Sequence, residues 1–316
     1  MSIAIILASA AAVVNLLNSR AAGSPLVYER SLAEVRADAE AGKTVQMFVY
    51  GITAKDDPKS KEYLEKARPR IEKLAKDKDN ALAWYLLSVD QQNYEYLQKA
   101  ARRKNVQALN ALGTMILTTA LENPNMLDEM REQALKDAFV AFNDAAKLKD
   151  PNGLYNLGMC YLNGYGCPVD TMMGINCFRT AAEAGHPEAI NNIGGCFRDG
   201  VVVKQNLETA AKWFKKSSEL GNRFGQLNYG LALQNGDGVK KDEKAAFELF
   251  KLASAQGSPE ADNLLGMCYY RGRGVEKDDK VARAYFLKSA DAGFLPADKN
   301  LKDMEEEQTK AEAKTE

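Results

Sequence analysis

The sequence predicts an all-α fold made of stacked helical hairpins, and three observations carry that prediction. LGMCYLNGYGCPVD (157–170) returns as LGMCYYRGRGVEKD (265–278), an interval of three 36-residue periods. The intervening copies are present without gaps, in blocks 151–186, 187–222, 223–258 and 259–294. Glycines and aromatic residues recur at fixed places in these blocks. Self-similarity at such a period is the signature of stacked supersecondary units.

The first helix of each block carries glycine at its eighth position: Gly158, Gly194, Gly230 and Gly266. Glycine inside a helix costs about 1 kcal/mol against alanine. Close approach of another helix is the compensation expected, and the reading here is that it lets adjoining modules touch. Leu157, Ile193, Tyr229 and Leu265 precede these glycines, and Tyr161, Phe197, Leu233 and Tyr269 follow four residues later on one face. Gly164, Gly200, Gly236 and Gly272 sit where a helix C-terminus needs a left-handed cap. The connecting loop contains Gly166, Gly238 and Gly274, but Val202 in the second block. The second helix presents Phe178, Phe214, Phe250 and Phe286, with small Ala181, Ser217, Ala253 and Ser289 three residues on. Gly185, Gly221, Gly257 and Gly293 close the units. One such hairpin cannot bury enough surface to stand alone, so neighbours must supply the core.

The pattern loosens in both directions. Residues 106–150 keep Ala108, Leu112 and Gly113 with a loop expected to be about nine residues longer. Residues 79–105 hold two helices almost without a loop, and 44–78 keep Tyr50-Gly51 but place Pro69 where it should break the second helix. The expected organisation is an apolar segment at 1–27, degenerate repeats over 28–150, four regular repeats over 151–294, and a capping helix with a charged tail over 295–316. A polar outer face is what ends a solenoid. Residues 3–17 form an apolar run short for a membrane span. They fit the h-region of an export signal cut after Ser19-Arg20-Ala21, giving a periplasmic or secreted protein. The other reading is a retained N-terminal helix that packs on the first repeat or anchors the chain, which leaves a cytoplasmic location open.

EADNLLGMCYYRGRGVEKDDKVARAYFLKSADAG (260–293) nearly completes the pattern of the Sel-one-like repeat, which this chain resembles most strongly over 151–294. That family is a relative of the tetratricopeptide repeat. The resemblance implies a right-handed α–α superhelix of about seven repeats, four of them regular. It also implies a non-catalytic adaptor that binds a partner protein or peptide on its concave helical surface. Some disulfide-rich members are linked to penicillin binding or β-lactamase activity, which supplies the alternative of a cell-envelope enzyme or ligand-binding protein. A purely architectural spacer is the third possibility.

Composition narrows the chemistry. A net charge of −1 provides no overall attraction to nucleic acid. The five cysteines, Cys160, Cys167, Cys177, Cys196 and Cys268, are odd in number and contain no C-x-x-C, so buried free thiols are expected. The single histidine, His186, excludes a His-pair metal site, and no metal or cofactor is called for. No serine has lysine three positions later, and G-x-S-x-G is absent, so no catalytic residue is assigned. The GYG, GDG and GRG stretches follow helices, not strands, and read as turns.

What remains is an amide column on the first helices. It comprises Asn110, Asn156, Asn191, Asn192, Asn228 and Asn263. In tetratricopeptide arrays this helix lines the concave groove, where asparagine can both donate to and accept from a peptide backbone. Tyr155, Met159, Leu231, Met267, Tyr270 and Arg271 would add apolar and cationic contacts. The competing reading is that these amides tie one helix to its neighbour.

Overall fold

The computed structural model describes residues 43–54 and 56–312. All of its regular structure is helical, and the chain forms two compact units, one ending at Gly185 and the other beginning at His186. The apolar run at 3–17 lies outside the described residues.

In the first unit, α1 (Thr44–Thr53) pairs with α2 (Pro58–Lys78), and α3 (Ala81–Gln91) with α4 (Tyr94–Arg102). Two longer hairpins follow: α5 (Val106–Glu122) with α6 (Asp128–Lys147), and α7 (Pro151–Asn163) with α8 (Thr171–Glu183). The second unit holds α9 (Pro187–Asp199) with α10 (Leu207–Glu219) and α11 (Arg223–Asn235) with α12 (Glu243–Ala255). It ends with α13 (Pro259–Arg271) paired to α14 (Asp279–Asp291), then the single helix α15 (Leu295–Glu312). Within each unit the second helix of one hairpin packs on the first helix of the next, the stacking of an α-solenoid.

Local chemistry sets the helix ends. Asn105, Asp150, Asn222 and Ser258 each accept a backbone N–H through the side chain at a first-helix start, and Asp170, Asn206, Asp242 and Asp278 do so for second helices. Each such cap contributes about 1 kcal/mol. The closing turn then needs one left-handed residue before the next cap. Gly221 (φ 79°) supplies it in a regular block, while Lys104 (φ 58°) and Lys149 (φ 61°) supply it in the degenerate ones. Those lysines hide the column from a reading based on glycine.

The eighth-position glycines do not join modules, as the sequence suggested; they close each hairpin on itself. A Cβ at Gly158, Gly194, Gly230 or Gly266 would meet the ring of Phe178, Phe214, Phe250 or Phe286 at 2.6–2.7 Å. Gly113 faces Phe142 in the same way. The rings fill the place of the missing side chains, and Phe250 and Phe286 are fully buried. Joining the modules falls to other glycines. A Cβ on Gly166 would lie 2.3 Å from the Leu135 carbonyl oxygen, one on Gly238 2.2 Å from that of Leu207, and one on Gly274 2.1 Å from that of Glu243. Each loop therefore lies directly on the backbone of the preceding second helix.

Two other expectations change, and one loop residue is strained. Helix α2 runs unbroken through Pro69. Pro69 and Glu65 are solvent-exposed, so the carbonyl that loses its i+4 partner is hydrated. Asp57 caps the helix start, and Arg68 clamps it to α3 by donating Nε and Nη2 to Asp90 at 2.9 and 3.0 Å. In 106–150 the extra residues lengthen α5 and α6 to 17 and 20 residues, against 13 in the regular blocks, and the loop between them is short. Val202, in the place of the loop glycines, takes φ 64°, a left-handed conformation that strains a β-branched residue. Val202→Gly is expected to raise the urea midpoint by an amount equivalent to about 0.5–1 kcal/mol, the relieved strain less the entropy that glycine adds to the unfolded chain.

The cysteines are free thiols, with Cys160, Cys177 and Cys268 buried. Burial pushes Cys160 up to about 12 and Cys268 to about 11, so both stay protonated and pack as small hydrophobes.

His186 is buried and caps α9 through Nδ1, which accepts from the Ala189 N–H at 3.3 Å. Only the neutral ring can do this. Burial holds its pKa below 6.5, against the opposing pull of Glu188 3.4 Å away. The unfolded chain then takes up the proton first, so the contribution is full above the unfolded pKa and shrinks as pH falls below it. Urea midpoints at pH 7 and pH 5.5 should drop less for His186→Asn, which keeps a capping side chain without the titration.

Candidate functional site

Within each unit the candidate surface is the set of first-helix faces, and the capped, glycine-bearing geometry above fixes which side chains point outward. In the first unit, Asn110 on α5 reaches the next repeat by donating Nδ2 to Asp150 Oδ2 at 2.7 Å. Asp150 also caps α7 by accepting from the Gly153 N–H at 2.8 Å. Burial raises this carboxyl above its usual range, while those two donors pull it the other way. Tyr155 stacks on Phe178 with ring centroids 5.2 Å apart, which turns it toward its own hairpin. The Asn156 side chain is half-buried and makes no hydrogen bond among the described residues. Met159 beside it is also half-buried.

In the second unit the asparagines form rungs between repeats. Asn228 Nδ2 donates to Asn191 Oδ1 at 2.8 Å, and Asn300 Nδ2 on α15 donates to Asn263 Oδ1 at 2.7 Å. Arg198 Nη1 donates to Asn228 Oδ1 at 3.3 Å. Asn192 has only a long 3.5 Å contact from the Asn191 amide. Leu231 is half-buried against the core around Phe247 and Phe250. Met267 and Tyr270 pack against Leu301 and Met304 of α15, and Arg271 is exposed with no charged partner among the described residues. The Tyr270 hydroxyl donates to the Glu307 carboxylate, which pushes the phenol up to about 12.

The sequence-selected residues therefore separate into two groups. Asn110, Asn191, Asn228 and Asn263 hold helices together, whereas Asn156 and Asn192 keep amide groups unspent. Arg198 and Asn300 were missed. For Asn300 the signal was present, since LPADKN (295–300) aligns with PEAINN (187–192) and puts Asn300 in the amide column.

One polar cluster of the second unit joins three helices. Ser254 Oγ donates to Asp262 Oδ1 at 2.5 Å, and Lys288 Nζ donates to the same oxygen at 2.8 Å and to Ser254 Oγ at 3.2 Å. The serine proton is directed at a buried carboxylate, so the arrangement locks α12, α13 and α14 together. Among the described residues, no cluster of side chains could hold a metal ion, and no helix is long and apolar enough to cross a membrane.

Comparison with known proteins agrees with this architecture. The Sel1 repeat model matches residues 36–68, 72–93, 94–105, 151–186, 187–222, 224–258 and 259–294, well over half of the chain. It passes over 106–150, where the lengthened helices depart from the repeat. A Sel1 repeat protein from Oxalobacter formigenes is 27% identical, with 69% of this chain and 86% of that one covered and a TM-score of 0.57. c5321, a protective antigen of uropathogenic Escherichia coli strains with an SLR fold, is 24% identical, with 86% of this chain covered and a TM-score of 0.59. The match spans 58% of that antigen's length and speaks to the fold alone. Among curated proteins, none matches this sequence. Proteins of this repeat type generally serve as scaffolds for protein interaction. With seven helical hairpins among the described residues, the repeat's glycine and phenylalanine pair in five of them, and the repeat model matched along most of its length, the chain belongs to the Sel1 repeat family.

Proposed function

We propose that this protein is a scaffold whose first-helix faces, each unit taken by itself, receive an extended segment of a partner protein. The observation that carries this reading is the unspent amide capacity of Asn156 and Asn192. An amide offers one acceptor and two donors and suits a peptide unit whatever its side chain. Met159 in the first unit, and Leu231 and Arg271 in the second, would add apolar and cationic contacts to a segment docked there, and Asn110, Asn191, Asn228 and Asn263 keep the helices of their own units in register. Ser254 and Lys288 offer the enzymatic alternative a serine–lysine pair, but Ser254 donates to Asp262, and Lys288 donates to both Asp262 and Ser254.

A peptide selected by display against the purified chain tests the reading. Asn156→Ala should weaken a peptide that docks on the first unit, and Asn192→Ala one that docks on the second, at least tenfold without moving the melting temperature. Asn228→Ala should instead cost stability, about 1 kcal/mol for a lost hydrogen bond between repeats. Unchanged affinity in both of the first two variants would remove these amides from any binding role.

A further inference from the structure

The closing turns of the first three hairpins carry a chemistry that the regular repeats lack. Where the regular blocks place glycine after the second helix, two of these turns place Lys104 and Lys149, both in left-handed backbone. That conformation costs a residue bearing a Cβ about 1–2 kcal/mol, and asparagine enters it more readily than lysine does. Arg102 and Arg103 precede Lys104, Lys147 lies two residues before Lys149, and Lys76 and Lys78 end α2 at the equivalent place. All of these cations are exposed.

Helix dipoles do not account for the concentration. A cation in the last turn of a helix gains about 0.3–1 kcal/mol, and every second helix offers that gain. Yet α8 and α12 have no basic residue in the last turn, and α10 and α14 have only Lys216 and Lys288. Nor is the charge neutralised within the unit. Arg103 pairs with Asp79 and Lys104 with Asp144, which joins the three turns into one continuous ridge. Both carboxylates are already shared: Asp79 also accepts from Trp84 Nε1 at 2.9 Å, and Lys147 lies 3.5 Å from Asp144. Lys76 and Lys78 flank Asp77, and Arg102 and Lys149 have no charged partner among the described residues. Strained lysines and unanswered cations on one edge cost stability and call for a ligand that answers them.

The pattern selects an acidic peptide. The ridge holds no aromatic ring on which a base could stack. Carboxylates stand between its cations, and they would repel the even negative charge of a duplex or a bilayer. An extended chain can instead set its carboxylates singly against the free cations.

We infer that the basic ridge along the closing turns of the first three hairpins receives an acidic, extended segment of a partner protein. This goes beyond the scaffold reading and does not depend on the amides of the first-helix faces. The test uses the full chain and labelled hexapeptides of glutamate and of glutamine, followed by fluorescence anisotropy at about 50 mM salt. The glutamate peptide should bind saturably and the glutamine peptide should not, and about 0.5 M salt should abolish the binding. Arg102→Gln combined with Lys149→Gln should weaken the glutamate peptide at least tenfold with an unchanged melting temperature. Lys149→Gly alone should weaken it severalfold without lowering the melting temperature, a split that a purely structural lysine would not produce. Asn156→Ala should leave it unaffected; equal weakening there would move the peptide to the first-helix face and overturn the inference. Equal binding of the glutamine peptide, or glutamate binding that survives the double variant, would overturn it as well. So would tighter binding of single-stranded oligothymidine or of phosphatidylserine vesicles that the double variant abolishes, by giving the ridge to nucleic acid or membrane.

Discussion

Gly230→Val is expected to unfold the hairpin of α11 and α12, lowering stability by more than about 3 kcal/mol and making the second unit the first to melt. Even a single Cβ would stand 2.6 Å from Phe250 Cε1, closer than any real side-chain contact. Phe250 is fully buried, so its ring has no free space to enter. Overpacking a filled core costs roughly 1–3 kcal/mol, and the stiff branches of valine add clashes that outweigh the few tenths of a kcal/mol of helix propensity it gains over glycine. Gly195 provides the control. It sits next to Gly194 on α9, but a Cβ there meets nothing within 4 Å. Gly195→Ala should therefore stabilise the protein by about 0.5–1 kcal/mol, the helix propensity that glycine withholds. Thermal melts by circular dichroism read both. A Gly230→Val variant that melts with the parent would refute the closure of the hairpin by a ring over bare backbone.

Gly238→Ala should cost nearly as much for a different reason. A methyl group there would lie 2.2 Å from both the carbonyl carbon and the carbonyl oxygen of Leu207, in the preceding second helix. Backbone cannot step aside as a rotamer can, so the two hairpins must separate. The glycine also holds φ 69°, which adds about 1 kcal/mol of strain for alanine. The two contributions can be told apart at Gly221, where φ is 79° but a Cβ would meet nothing within 4 Å. Gly221→Ala should lose the strain alone, about 1 kcal/mol, and Gly238→Ala at least twice that. Equal losses in urea titration would mean that the loop yields and that the joint between repeats lies elsewhere.

Much of this architecture was legible in the sequence because the repeat encodes local events several times over. Gly236 ends a helix, Phe250 fills a hairpin, and Asp242 or Ser258 caps a start, each through interactions within a few turns of chain. The candidate surface was legible only as a list of residues. Asn191 and Asn192 are adjacent and chemically identical, yet one accepts from Asn228 on the neighbouring repeat and the other keeps its groups largely unspent. Nothing local distinguishes them; the register of α9 against α11 does.

By itself, the sequence determined the period, the helical hairpin, the polar caps and the places where side chains must be absent. Helix periodicity and capping act over a few residues and leave a trace at every copy. The tertiary structure alone decided what each bare position touches, with Gly230 serving its own hairpin and Gly238 the joint to the one before. It also decided that Lys104, Lys149 and Val202 adopt the left-handed turns elsewhere given to glycine, and that α2 continues through an exposed Pro69. Those outcomes depend on which atoms lie opposite, and that is set by the packing of residues far apart in the chain.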